Sequence, residues 1–215
     1  MRAFSHRRRW VELIALYGIG PALLALGPRW MVTVGILGIG LVAAGALLFD
    51  PSFARGDLVG LAGARRGART VVLRTVLPGT ILVVGAAVFS PRPLMPQARP
   101  VVWAIVMVLY PISAYAQEIV CRTLFFHRYA QLFPRPAARV VASGVVFGWA
   151  HVAVNNLAAL GLATAAGIIF AATYERWRST LLVSLEHALY GDFAFTAGLG
   201  ALFYSHVRWV TWGGR

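Results

Sequence analysis

Seven apolar stretches, near residues 10–26, 30–49, 69–89, 101–127, 139–155, 157–174 and 179–204, follow one another with only short polar breaks. A hydrocarbon layer about 30 Å thick is crossed by roughly 20 helical residues, so most of these runs have the length of a membrane-spanning helix. In a chain of 215 residues, 59% hydrophobic and 13% charged with a mean hydropathy of +0.72, this much apolar surface does not fit inside a soluble core. The expected fold is all-α, a polytopic membrane helix bundle. Gly191, Gly198 and Gly200 can divide the last stretch, which makes seven or eight transmembrane helices. The first run follows Arg7, Arg8 and Arg9 as a signal peptide would, but no small-x-small cleavage site comes after it, so it is read as a retained helix. The arginine-rich stretch from Asp50 to Arg69 is the one linker expected, and no internal repeat stands out.

Charge sets the orientation. The net charge of +13 comes from 20 arginines and no lysine. Arg2 and Arg7 to Arg9 precede the first run; Arg55, Arg65, Arg66 and Arg69 follow the second. Arg128, Arg135 and Arg139 follow the fourth, and Arg176 and Arg178 the sixth. The intervening loops are poorer, with Arg29 in one and Arg92 and Arg99 in a proline-rich segment. Every second loop is thus basic, which places the N-terminus in the cytoplasm. The same distribution argues against a nucleic-acid partner, which needs a basic face free of lipid. Trp10, Trp30, Trp103, Trp177 and Trp209 lie near the ends of runs, where indole rings favour the headgroup layer. Cys121 is the only cysteine, so there is no internal disulfide framework.

Against this background Glu118, His151 and His187 are conspicuous, because ionisable groups at membrane depth are costly and presumptively functional. With a rise of 1.5 Å per residue, Glu118 lies about 13 Å in from His127, His151 about 18 Å in from Arg139 and His187 about 10 Å in from Thr180. Three separate segments therefore bring a carboxylate and two imidazoles to one layer. Glu plus two His is a ligand set for zinc or another divalent metal, and the same groups can activate water directly. Arg122 is i,i+4 to Glu118 and can neutralise it. Phe147 precedes His151 by one turn and Asn155 follows it by one, placed to pack against and order the ring.

Blander readings stand beside these. An isolated intramembrane histidine is often a helix-packing hydrogen-bonder, and Glu118 with Arg122 alone could be a structural ion pair. His6, His127 and His206 are expected at the interface, Cys121 in packing, Glu186 outside the site, and Arg74 snorkelling to the headgroups. A proton-coupled transporter would also hold Glu and His at mid-membrane, but it would show inverted repeats and matching interrupted helices.

The ordered set resembles the intramembrane CAAX-protease and bacteriocin-processing proteins, which include the eukaryotic enzyme that removes the last three residues of prenylated proteins. That family carries EExxxR, FxxxH and HxxxN/D motifs on successive helices. Here Gln117, Glu118 and Arg122 answer to the first, Phe147 and His151 to the second, and His187 to the third. The resemblance covers roughly residues 100–205, a protease-like core between N-terminal helices over 1–99, which carry no identifying motif, and a short tail at 206–215. It implies hydrolysis of a peptide bond in a membrane-embedded or lipidated substrate, with Glu118 and His151 activating water and His187 stabilising the oxyanion. If a metal is bound, Glu118, His151 and His187 are its ligands. The compact size suits a bacterial inner-membrane protein. Two positions depart from the family pattern: Gln117 stands where the first glutamate belongs, and Gly191 where the last Asn or Asp belongs, with Asp192 one place later. Asp192 can replace it only through a local bulge or helix break. A catalytically inactive relative that binds a membrane protein or lipidated peptide is the alternative.

Overall fold

The computed structural model describes residues 2–28, 30–89 and 100–204, and among them it is helical throughout, with no strand. Arg29, Arg92, Arg99, Trp209, His206 and the tail at 206–215 lie outside the described residues, as do the side chains of Arg2 and Trp30. Helix α1 covers residues 2–26, widened to a π-turn at Ile14–Ile19. It is followed by α2 (Trp30–Phe49) and α3 (Leu61–Phe89). Helix α4 covers residues 100–128 and has π-turns at Ile105–Leu109 and Ile119–Leu124. Helix α5 (Pro136–Ala150) tightens into a 3-10 turn at His151–Val154. The chain continues as α6 (Leu157–Trp177), α7 (Thr180–Thr196) and the short α8 (Gly200–Tyr204).

Local chemistry sets these boundaries. Pro136 opens α5, where its missing N–H has no helical partner to lose. Asn156 caps α6 by accepting from the Ala158 and Ala159 amides at 2.9 and 3.3 Å, and Ser179 caps α7 by accepting from the Leu182 amide at 3.1 Å. Two boundaries differ from expectation. The stretch from Asp50 to Arg69 is not all linker: α3 begins at Leu61, and only a 3-10 turn at Arg55–Leu58 precedes it. Arg65, Arg66 and Arg69 lie on the exposed face of α3 while Gly63 and Gly67 continue its buried one. The last apolar stretch breaks after Thr196, where Gly198 takes a φ of +82°, and α7 runs through Gly191 without interruption.

Small residues let the helices approach closely. A Cβ added to Gly144 or Gly148 of α5 would strike Ile168 or Thr164 of α6. Every fourth residue of α3 (Gly63, Gly67, Val71, Thr75 and Gly79) is buried, and three of these glycines meet Trp177, Leu182 and Phe193 on or beside α7. Helices α4 and α7 run antiparallel, with Thr123 bonded to Thr180 at 2.6 Å near one end and Val106 packed with Phe195 near the other.

Four helical stretches, His6–Leu26, Arg55–Phe89, Pro136–Val154 and Leu157–Trp177, are long and apolar enough to cross a membrane, and Val34–Phe49 is a shorter apolar helix. Ion pairs gather at one end of the bundle. Arg128 bonds Glu12 through two nitrogens, each at 2.9 Å; Arg139 bonds Glu175 at 2.6 and 3.1 Å; His127 bonds Asp50 at 2.9 Å. These residues come from the N-terminal segment and from loops that the charge alternation assigns to a single side.

Candidate active site

Helix α4 supplies the acidic group. Glu118 ends a regular α-helical segment, and the following π-turn Ile119–Leu124 is held from outside: the Tyr17 hydroxyl donates to the Val120 carbonyl at 2.7 Å, and the Ser143 hydroxyl to that of Cys121 at 2.8 Å. Such turns concentrate at functional sites. Within it Arg122 is completely buried, as is Glu118. The Arg122 Nε lies 3.1 Å from Glu118 Oε2, but neither atom is aligned for a hydrogen bond. The guanidinium instead donates from Nη2 to the Gly167 carbonyl at 2.9 Å and lies over the Phe147 and Phe170 rings, 4.5 and 5.6 Å from their centroids. The i,i+4 spacing thus yields a charge contact in a dry, aromatic setting, where loss of one partner costs about 3–5 kcal/mol.

Helix α7 brings His187 to the other oxygen. Its Nδ1 lies 2.8 Å from Glu118 Oε1, and its ring stacks on Phe170 at 4.8 Å and meets the edge of Phe147 at 5.2 Å. Facing Arg122, the carboxylate is an acceptor, so Nδ1 carries a proton, and in the neutral ring Nε2 then holds the lone pair. His151 sits where α5 tightens into its 3-10 turn, and its Nδ1 donates to the Phe147 carbonyl at 2.9 Å. A carbonyl only accepts, so this ring has the same tautomer, with Nε2 carrying its lone pair. The Phe147 ring touches both imidazoles, at 4.9 Å from His151 and 5.2 Å from His187. Glu118, Arg122, Phe147, His151 and His187 therefore form one cluster, in which Glu118 and His187 are joined side chain to side chain and His151 is held by the Phe147 carbonyl.

The other expected participants fare differently. Gln117 is half-buried and donates from Nε2 to the Ser113 hydroxyl at 3.1 Å. Asn155 is exposed and left-handed at φ 54°, where it ends the 3-10 turn; the Phe147 carbonyl, not Asn155, orders His151. Asp192 gains no place through a helix break, because α7 is continuous there, and its Oδ1 is buried without a hydrogen-bond partner. Arg74 does not snorkel. Its Nε bonds the fully buried Glu186 at 2.7 Å, its Nη2 reaches the Thr173 hydroxyl, and that hydroxyl donates to the other Glu186 oxygen at 2.5 Å. Phe170 and Tyr110, which pack against His187, carry no signal in a linear reading because they come from other helices.

As a metal site the cluster does not fit. One Glu118 oxygen takes the His187 bond and the other faces Arg122, and among the described residues no three His, Cys, Asp or Glu side chains are gathered to hold an ion. The arrangement is instead a carboxylate–imidazole dyad with a second imidazole across one aromatic ring.

Comparison with curated proteins returns no match, and comparison with solved structures returns none either. A family model described as type II CAAX prenyl endopeptidase Rce1-like matches residues 98–191, the segment holding Glu118, Arg122, Phe147, His151 and His187. Its apolar helices mark the chain as an integral membrane protein, and over residues 98–191 it is similar to the CAAX protease family.

Proposed function

We propose that the protein is an intramembrane endopeptidase that hydrolyses a peptide bond in a membrane-embedded or lipidated substrate, with Glu118, His151 and His187 at its centre. Residues 100–205 form the catalytic core and the helices of 1–99 brace it, in a bundle crossing a bacterial inner membrane seven or eight times with its N-terminus in the cytoplasm. The observation that carries the reading is the 2.8 Å bond between His187 and Glu118, buried beside Arg122. Two ionisable groups on separate helices, paired in low dielectric, are costly unless used.

The geometry supports one order of events. Glu118 holds the His187 Nδ1–H, so Nε2 accepts a proton from water as the water oxygen adds to the scissile carbonyl carbon. The resulting imidazolium is stabilised by the carboxylate and then gives the proton to the departing amine nitrogen as the C–N bond breaks. His151, presenting its own Nε2 across Phe147, orders the water or the substrate. With the Glu118 oxygens engaged by Arg122 and His187, this route uses no step on zinc or another divalent ion.

The test is a turnover assay in liposomes with a panel of membrane peptides, comparing wild type with His151→Ala. Cleavage by wild type and its loss in the variant support the reading; equal rates overturn it. One observation favours the alternative, an inactive binding protein: the residue before Glu118 in the first motif is an amide, Gln117, tied to Ser113. Peptide binding without turnover would select that reading.

A further inference from the structure

The order of events above leaves one buried carboxylate unused. Glu186 is fully buried in α7, next to His187 in the chain, and both of its oxygens are engaged. Arg74 of α3 meets Oε1 from Nε at 2.7 Å and from Nη2 at 2.5 Å, and the Thr173 hydroxyl of α6 donates to Oε2 at 2.5 Å. Arg74 Nη2 also reaches that hydroxyl, so guanidinium, carboxylate and hydroxyl close a ring of contacts among three helices. Stability alone does not explain the group. An ion pair taken out of water is often no more stabilising than apolar side chains of the same volume, and at membrane depth each charge is costly.

The place of Glu186 on the helix supplies a reason. Successive residues of an α-helix point about 100° apart, so α7 directs Glu186 and His187 to different neighbours. His187 meets Glu118 of α4 at 2.8 Å, while Glu186 is held from α3 and α6. Apolar contacts such as Leu182 against Gly67 and Phe193 against Gly79 keep α7 close to α3 but have no preferred direction. Two adjacent polar grips on different flanks do, and they fix the rotation of α7 about its own axis. Helix α6 is the common reference. Its Gly167 carbonyl accepts from Arg122, its Phe170 ring stacks on His187 and its Thr173 hydroxyl holds Glu186, at intervals of three residues, which are neighbours on a helix surface.

Resting on the protease reading above, we propose that Glu186 is a positioning residue, gripped by Arg74 and Thr173 so that α7 presents the His187 ring to Glu118 in the orientation hydrolysis needs. Glu186 takes no proton and touches no reacting atom; it acts through His187. The grip reaches α3, so a helix of the N-terminal part, which carries none of the motif residues, bears directly on the reaction.

The experiment compares wild type, His187→Ala, Thr173→Val and a double variant, Arg74→Met with Glu186→Leu, in the liposome assay, with thermal unfolding measured on each. The double variant replaces the ion pair by apolar side chains of similar volume, so Tm is held or raised. The Thr173 hydroxyl there keeps its bond to the Ile169 carbonyl at 3.1 Å. With the grip gone, kcat falls by about 10²-fold, and KM changes by less than about twofold. Thr173→Val loosens Glu186 while every charge stays in place, so its folding does not depend on that replacement, and it lowers kcat by a smaller factor. The imidazole N–H resonance of His187, identified in histidine-labelled protein as the one missing from His187→Ala, shifts in both variants as the bond to Glu118 loosens. Wild-type kcat in the double variant, a fall in kcat that tracks a fall in Tm, or an unmoved resonance overturns the proposal while leaving the protease reading intact. Wild type no faster than His187→Ala overturns the protease reading, and this proposal with it.

Discussion

His187 and Glu118 meet at 2.8 Å from antiparallel helices, and Arg122 closes the other side of the same carboxylate. The glutamate therefore orients an imidazole instead of standing free as a base. Glu118→Gln keeps the shape and an acceptor oxygen for Nδ1–H but loses the charge that stabilises an imidazolium. Cleavage is expected to fall by about 10²-fold or more, with helix content by circular dichroism retained. Cleavage at the wild-type rate would remove Glu118 from the site.

Arg122 is fully buried between Glu118 and two phenylalanine rings, whereas Arg65 is exposed. Arg122→Ala leaves a carboxylate uncompensated and is expected to destabilise by about 3–5 kcal/mol. Arg65→Ala should change stability by no more than about 0.5 kcal/mol. Equal unfolding temperatures in the same detergent would refute the charge pairing.

Gln117 decides between the two functional readings. If the dyad is the working acid–base pair, wild type cleaves and Gln117→Glu, which adds a second carboxylate beside the first, does not raise the rate. If the first motif position is indispensable, wild type is inert and Gln117→Glu creates activity. Single-turnover cleavage of one membrane peptide by both proteins separates the cases.

At the paired end of the bundle, hydrogen bonds from His127 and then Ser52 hold the Asp50 carboxyl well below the usual carboxylate range. A lowered native pKa stabilises the fold above the unfolded value of about 3.9, and that contribution is lost as pH falls further toward the native value. Below about pH 4, unfolding temperature should fall more steeply for wild type than for Asp50→Asn. Parallel curves would show that the bonds do not couple to folding.

The apolar runs marked out the helices because lipid imposes length and hydrophobicity on each segment separately, and α6 and α7 start at the residues beside their polar caps. The Glu118–Arg122 contact was readable because i,i+4 spacing is local geometry. What the sequence hid was tertiary. Arg74 looked like a headgroup anchor from its place near a helix end, and only packing of α3 on α7 brings it to Glu186. Asn155 had the right spacing from His151, but α5 loses its α-helical winding at His151 and carries the amide away to the surface. The packing of Tyr110 against Gly191 of α7 was equally invisible, since it joins residues about eighty positions apart.

The dependence on α7 also has an order in time. Ribosomal synthesis runs from the N-terminus, so α4 enters the membrane before the residues that meet it have been made. Until His187 is added, Glu118 has Arg122 as its one ionic neighbour, and until Glu186 is added, Arg74 lacks its carboxylate. A growing chain thus has a charged core but no dyad, and Thr123, Glu118 and Val106 find their partners only as α7 folds back along α4. The dyad is thus completed only when the last long helix has been made, whatever the earlier helices have already formed among themselves.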